Sequence, residues 1–525
     1  MNLILNIVGF LKRISIKIKP KHVYVFVFLL FLIKGVIFLD PDFGWRFKAG
    51  EMYLSSGIPT TDPFTYTMPS FPWVDHAWLQ STAFAFFYPL VGKIGLTFFS
   101  LSIVTLALIV SFNTGSKKAI NKVSSIAKTS LGDYGLFGNL AFLLSAYILF
   151  VFYGVRAQVM SWLMLATLLN IVLSFRKWKK WRLLAPAFFL FWVNLHGSFV
   201  LGILIMSFVV LARMFRLRKF DFANIILIIA SFLVTLINPY TIGVWREVVS
   251  SVFDTGLRWS INEWMPALFM PNLPMVVMFV FSLSFVVKQR KSFKLEELVL
   301  YFAFLFQAVA SRRHLPLWAI IALPMTTLAI GEFYEEVSKF KDAIGRLKKA
   351  YKFAWLGVLL IIFFQLGFDF RGAVFLREGG FYPKGAVEFL HANFPQGEIF
   401  SNYGWGGYLI WKLPEKKVFI DGRMPSWKWE LESDKELANS FEDYTNVLKG
   451  GVDYRIVFEK FGVDTVLWPA PKERNSFDDF TDSAEEFLVK FGREKQDFDF
   501  IDQLVNDGWE KMYEDDVAVV YKLAQ

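Results

Sequence analysis

The chain has 525 residues, of which 55% are hydrophobic, 18% aromatic and only 19% charged. No soluble core needs that much apolar surface or could hide it, so lipid must act as part of the solvent. The formal charge of +10 splits into +20 over residues 1–369 (37 Lys and Arg against 17 Asp and Glu) and −10 over 370–525 (19 against 29), which argues against nucleic acid as a partner. With no cysteine, there is no disulfide frame, thiolate nucleophile or Cys-ligated zinc.

Apolar runs predict eleven membrane spans near 23–39, 94–112, 134–153, 157–175, 183–195, 197–213, 222–238, 274–288, 296–311, 315–331 and 352–369. The basic stretch Lys12 to Lys21 resembles the start of a signal peptide. The span after it is long and ends in Phe38-Leu39-Asp40-Pro41 without a small-residue cleavage site, so it is read as retained. The aromatic stretch Trp78–Phe87 is read as lying along the interface before the second span. Alternate connections (12–21, 113–133, 176–182, 213–221, 288–297 and 332–352) hold 28 Lys and Arg, and the opposite set holds 8. By the positive-inside rule the amino terminus is cytoplasmic. Residues 370–525 then lie outside the cytoplasm, and the protein belongs in the plasma (inner) membrane with the bilayer as its first partner.

This topology gathers the unusual polar residues on the outer side. The first outer loop, 40–93, begins Asp40-Pro-Asp42, where Pro41 discourages continuation of the helix. Two carboxylates there can share one divalent cation (Mg or Mn), or one can act as a base while the other orients a partner; helix termination and solvation alone would also use them. Asp75-His76 sits between two tryptophans, as a ligand pair or part of an interfacial belt. Arg156, His196, Glu263, Arg312, Arg313 and His314 complete the candidate set. Arg312 and Arg313, at an outer helix end, suit bidentate contact with a phosphate, or headgroup contact alone. Lys34, inside the first span, is read as a snorkelling or structural residue.

Beyond Asp369 the pattern changes to an α/β domain. Strands are predicted at Glu398–Ser401, Lys417–Ile420, Thr465–Trp468 and Ala518–Lys522, and helices at Ala386–Asn393, Asp434–Leu448 and Ser483–Phe491. Gly404-Trp-Gly-Gly-Tyr408 lacks the residues of a phosphate loop, and its glycines suit tight backbone packing. Asp421-Gly-Arg423 fits either a sugar contact or a turn closed by a salt bridge. The domains expected are thus 1–369, carrying the 40–93 loop, and 370–525.

Several motifs carry a resemblance. They are the acidic Asp40-Pro-Asp42 loop, Ile58-Pro-Thr-Thr-Asp-Pro-Phe-Thr-Tyr66, Trp73-Val-Asp-His-Ala-Trp78, Asn194-Leu-His-Gly197, Asn238-Pro-Tyr240, Asn262-Glu-Trp264, Arg312-Arg-His-Leu-Pro316, Asn402-Tyr-Gly-Trp-Gly-Gly-Tyr-Leu409 and Phe419-Ile-Asp-Gly-Arg423. Together they resemble a group of bacterial polytopic membrane proteins related in fold to the GT-C glycosyltransferases. That superfamily includes oligosaccharyltransferase catalytic subunits, protein O-mannosyltransferases and lipid A aminoarabinose transferases. The resemblance implies a GT-C-like, α-helical polytopic membrane protein with an extracytoplasmic α/β domain. It further implies a transferase using a polyprenyl-phosphate sugar donor, with Asp40 or Asp42 in the place of the first-loop catalytic acid. The chain lacks the Trp-Trp-Asp-type acceptor motif of oligosaccharyltransferases, which argues against that activity. The rivals are a transporter or flippase of a lipid-linked glycan, and a non-catalytic envelope assembly protein.

Overall fold

The computed structural model describes residues 20–114, 140–253, 263–269, 272–339, 363–424, 427, 439–471 and 499–523. The basic segment 12–21 apart from Pro20 and Lys21, most of 113–133 and 332–352, most of the span 352–369, Asn262 and the helix expected at Ser483–Phe491 lie outside the described residues. In chain order the helices are α1 (Pro20–Ile37), α2 (Phe43–Ser55), α3 (Trp78–Phe112), α4 (Leu140–Val151), α5 (Gln158–Val172), α6 (Phe175–Trp181), α7 (Ala185–Leu195), α8 (Phe199–Leu217), α9 (Phe222–Leu233), α10 (Gly243–Phe253), α11 (Leu273–Lys288), α12 (Leu295–Ala310), α13 (Leu315–Lys339), α14 (Lys384–Ala392), α15 (Gly406–Lys412), α16 (Ser440–Lys449), α17 (Tyr454–Phe461) and α18 (Phe500–Asn506). A further helical stretch covers 363–375.

Contacts divide the chain into two compact units. The first comprises Met1–Ile37, Val91–Val249 and Ser260–Ala373; the second comprises Phe38–Leu90, Ser250–Trp259 and Val374–Gln525. The 40–90 segment therefore shares a unit with the carboxy-terminal residues.

The first unit is a helical bundle around Trp162, Trp192, Trp318, Phe189 and Phe199. Among the described residues three helical stretches are long and apolar enough to cross a membrane: α3, α8 and Arg312–Glu332. A fourth is added if α5 and the bent run Phe175–Leu195 count as one broken span; these meet at 107°. The four spans predicted at 23–39, 134–153, 222–238 and 274–288 appear as shorter apolar helices. A membrane protein fits this architecture, but eleven membrane-length helices are not present among the described residues. The stretch Trp78–Phe87 is helical and belongs to the first part of α3, ahead of the second span expected at 94–112. That helix breaks at Gly92, whose φ of 62° is left-handed backbone that glycine adopts without a Cβ clash. Lys34 donates to the carbonyls of Phe150 and Val151 at the end of α4, a structural pairing of cation and helix carboxy terminus.

The second unit carries a four-stranded sheet made of β1 (Glu398–Ser401), β2 (Val463–Pro469), β3 (Trp509–Glu514) and β4 (Ala518–Leu523). The order is β1-β2-β4-β3, with β1 and β2 parallel and the other pairs antiparallel. The β1–β2 crossover passes through α15, α16 and α17, as parallel pairing requires. Phe400, Phe419, Tyr444, Phe458 and Trp509 pack in the core with Met68 from the first loop. The strand expected at Lys417–Ile420 is only an isolated bridge: Val418 pairs with the first loop, donating to the Phe64 carbonyl and accepting from Tyr66, instead of joining the sheet. β3 was not expected, because as an edge strand with most of its residues exposed it shows no apolar alternation.

The glycine-rich stretch at 404–407 is a short turn feeding α15, and it packs directly on α2. A Cβ on Gly44 would fall 2.0 Å from the Gly407 carbonyl oxygen, and one on Gly407 would fall 2.2 Å from that of Pro41. Gly44→Ala should therefore destabilise the protein by about 1–3 kcal/mol, as overpacking does. Gly367→Ala, with nothing within 4 Å of the new atom, should leave the denaturant midpoint unchanged or slightly raised.

Candidate functional site

In the first unit, five of the expected residues come together. α12 ends at Ala310, Ser311 is extended, and the turn Arg312–His314 leads into α13. That turn offers its backbone N–H groups to a neighbouring turn at 263–265. Arg312 donates to the Met265 carbonyl and Arg313 to that of Glu263, each at 2.9 Å. The pairing fixes Glu263, whose carboxylate accepts from both terminal nitrogens of Arg156 at 2.9 and 3.4 Å. Arg313 lies 4.8 Å from the centre of the Trp264 ring, and His314 meets the same ring edge-on. Gln158 at the start of α5 reaches the Arg313 carbonyl at 3.4 Å.

Burial pushes the Glu263 carboxyl up, but Arg156, Arg313 and Arg312 outweigh it and hold the group at about 2. Asp369 also acts electrostatically on Arg312 and accepts a hydrogen bond from Tyr147. Three guanidinium groups, together with the Lys34 ammonium that also acts on Asp369, thus face two carboxylates, leaving net positive charge before His314 is counted.

His196 lies in the same unit with a hydrogen-bond set of its own. Its Nδ1 accepts from the Ser198 amide at 3.1 Å, and the Ser198 hydroxyl donates to Ser161 at 2.6 Å.

A second group of charges occupies the other end of these helices. At the amino end of α12, Glu296 accepts from Arg216 at 2.9 Å. At the carboxy end of α5, Arg213 donates to the Val172 carbonyl. Arg182 bridges to Asp221 at 2.5 Å. α12 has 16 residues and so separates the two groups by about 24 Å. The turns at 176–182, 213–221 and 288–297 share one end, and those at 154–156, 263–265 and 311–314 share the other.

Asp40, Asp42, Asp75 and His76 belong to the second unit. Asp40 is buried, and its Oδ1 accepts from the Asp42 amide at 3.0 Å. Asp42 precedes α2, is only half-buried, and accepts from the Trp45 indole at 3.0 Å. Asp75 is buried and accepts from Arg46, Tyr53, Ala77 and Ser81, which is the arrangement of a structural clamp. Burial pushes its carboxyl up, while Arg46, His76, the Ser81 hydroxyl and the Ala77 amide pull it below the ordinary value. His76 acts on Asp75 through charge.

Beside them lies a buried ionic centre. Arg423 binds Asp421 through Nε at 2.8 Å and Nη2 at 2.5 Å, and Asp62 through Nη1 at 2.8 Å. Asp62 also accepts from the Thr65 amide and hydroxyl. The rings of Trp45, Phe64, Trp73 and Trp427 all lie within 5.3 Å of the guanidinium. Burial works to lower the pKa of Arg423, and Asp421 and Asp62 more than reverse it. The Asp421-Gly-Arg423 segment is thus a turn closed by a salt bridge.

Among the described residues no group of three or more His, Asp or Glu is arranged to hold a metal ion. Asp40 and Asp42 each have one oxygen engaged within the chain; two carboxylates could hold a Mg or Mn ion only with water or a substrate phosphate completing its shell. Arg46, Tyr53, Tyr147 and Asp369 join these networks without any pattern in the sequence to mark them. No protein-family model and no curated protein matches this chain.

Two outcomes follow from this geometry. Arg423→Gln should cost about 3–5 kcal/mol in unfolding free energy, because it strands two buried carboxylates. Arg423→Lys should not restore that loss, since a lysine cannot make the fork. Glu263 has a depressed folded-state pKa, so its contribution is complete above its ordinary 4.5 and fades as pH falls toward about 2. The gap in thermal midpoint between the wild type and Glu263→Gln should shrink over that window.

Proposed function

We propose that the protein is a GT-C-type glycosyltransferase of the plasma membrane that moves a sugar from a polyprenyl-phosphate donor to an acceptor outside the cytoplasm. The proposal includes the eleven-span topology, a cytoplasmic amino terminus, and the division at residues 369 and 370. The observation that carries it is the convergence of Arg156, Glu263, Trp264, Arg312 and Arg313 at one end of the bundle. These residues come from three distant stretches, and together they leave positive charge beside an aromatic face.

In this reading the arginines receive the donor's phosphate, and Glu263 holds Arg156 in place. As the anomeric carbon–phosphate oxygen bond breaks and the acceptor oxygen bonds to that carbon, negative charge grows on the leaving lipid phosphate. Guanidinium groups neutralise it through paired hydrogen bonds. The resemblance assigns proton acceptance to a carboxylate of the first loop, and of the two Asp42, with its partial exposure, is better suited than the buried Asp40. Asp40, bonded to the Asp42 backbone, then acts as its positioning residue. His76, His196 and His314 are the further candidates for substrate contact in this scheme, whereas Asp75, expected as one, is taken up by its four donors.

A transporter is favoured by one feature, the 107° break between α5 and the run Phe175–Leu195. At the break Arg213 donates to the Val172 carbonyl and Lys177 to Asn170, which suits an interfacial turn better than a substrate cavity.

Purified protein in nanodiscs should release labelled product from a panel of radiolabelled polyprenyl-phosphate sugars, assayed with and without Mg or Mn. Asp42→Asn should reduce turnover by about 10²–10⁴-fold, and Arg313→Ala should weaken donor binding while the protein stays folded. Donor uptake into vesicles without any product, unaffected by Asp42→Asn, would replace the transferase with a transporter.

A further inference from the structure

The cationic end of the bundle, opposite the Arg156–Glu263 cluster, has a surface that the transferase reading does not use. It is built from the segments 175–184 and 213–222, which are clamped together by Arg182 to Asp221 and by Trp178 and Arg182 to Asn224. Between 176–182 and 213–221, nine Lys and Arg face a single acid, Asp221. That acid is consumed by Arg182, and the neighbouring Glu296 and Glu297 are taken by Arg216 and Lys294. Arg176, Lys179, Lys180, Arg218 and Lys219 are exposed and form no ion pair among the described residues.

Large apolar side chains alternate with these cations. Phe215 is 81% exposed and Leu183 and Phe220 are each 76% exposed, with Phe175, Trp181 and Phe222 beside them. Water is a poor solvent for such a surface, and a globular protein partner would have to match both a dense positive field and scattered single rings. The apolar helices α5, α7, α8 and α9 all begin or end here, so the surface sits where hydrocarbon gives way to headgroups. Aromatic rings belong at that depth, and cations there meet lipid phosphates.

We propose that this end is a docking surface for anionic phospholipid headgroups in the leaflet it meets, with Arg176, Lys179, Lys180, Arg218 and Lys219 contacting the phosphates. α6, turned sharply from α5, lies along the interface and carries Trp178 inward and Phe175 and Trp181 outward. The inference is independent of any transfer chemistry.

The test uses the full chain in detergent micelles doped with either phosphatidylglycerol or phosphatidylcholine. Phosphatidylglycerol should raise the thermal midpoint above the phosphatidylcholine value, and added NaCl should erode the difference. The five-site variant Arg176→Gln/Lys179→Gln/Lys180→Gln/Arg218→Gln/Lys219→Gln should lose this lipid-specific rise and keep its phosphatidylcholine midpoint. Removing cations from the sheet-bearing unit, in Lys384→Gln/Lys417→Gln/Lys449→Gln, should leave the rise intact. Should the five-site variant fold poorly, Lys179→Gln/Lys180→Gln should still retain fewer phosphatidylglycerol molecules by native mass spectrometry, with affinity down by roughly tenfold. An equal response to both lipids, or a phosphatidylglycerol response that survives these changes, overturns the proposal.

Discussion

Burying a guanidinium is costly unless its charge is matched and its N–H groups are engaged, and Arg423 meets both conditions through Asp62 and Asp421. Those two carboxylates have fully buried side chains, so none of the three can be solvated if the others leave. Asp62 and Arg423 are 361 positions apart. Their pairing obliges the segment after the first helix to fold with the carboxy-terminal sheet. The aromatic rings around the ion group, the Val418 bridge to the first loop and the close approach of α2 and α15 at Gly44 and Gly407 depend on the same arrangement. Asp40 and Asp42 take their position from it, because they introduce α2.

The helical unit obeys a different rule. Its helices are apolar along their length and charged at their ends, so ion pairing happens in two layers about one helix length apart. One layer is rich in Lys and Arg with few acids. The other couples three arginines to Glu263 and Asp369 around Trp264. The backbone pairing of 312–313 with 263–265 does what a side-chain motif does elsewhere: it brings distant segments into register, so that their charges face a common space.

Each proposed role follows from this division. An arginine-lined, partly neutralised helix end can receive a phosphate. An exposed cationic and aromatic end suits lipid headgroups. The ionic centre at Arg423, satisfied on every side, is suited to neither and acts as scaffold.

The periodicity and charge of the chain determined a good deal. The ten apolar stretches that fall wholly or mostly on described residues are all helical, since an apolar run in lipid can satisfy its backbone only within itself. The alternation of basic and non-basic turns correctly sorted 176–182, 213–221 and 288–297 to one end of the bundle. The listing of Arg156, Glu263, Arg312, Arg313 and His314 as unusual polar residues was also available from sequence, because ionisable groups near a bilayer stand out. Their joining was not, because it depends on backbone pairing between residues 47 and 50 positions apart. Likewise the exposed edge strand β3 and the bridge at Val418 depend on which neighbour each backbone meets. Only tertiary structure decided that Asp75 and Arg423 would be enclosed by four donors and two acids, since burial belongs to the assembled fold and not to any local run of residues.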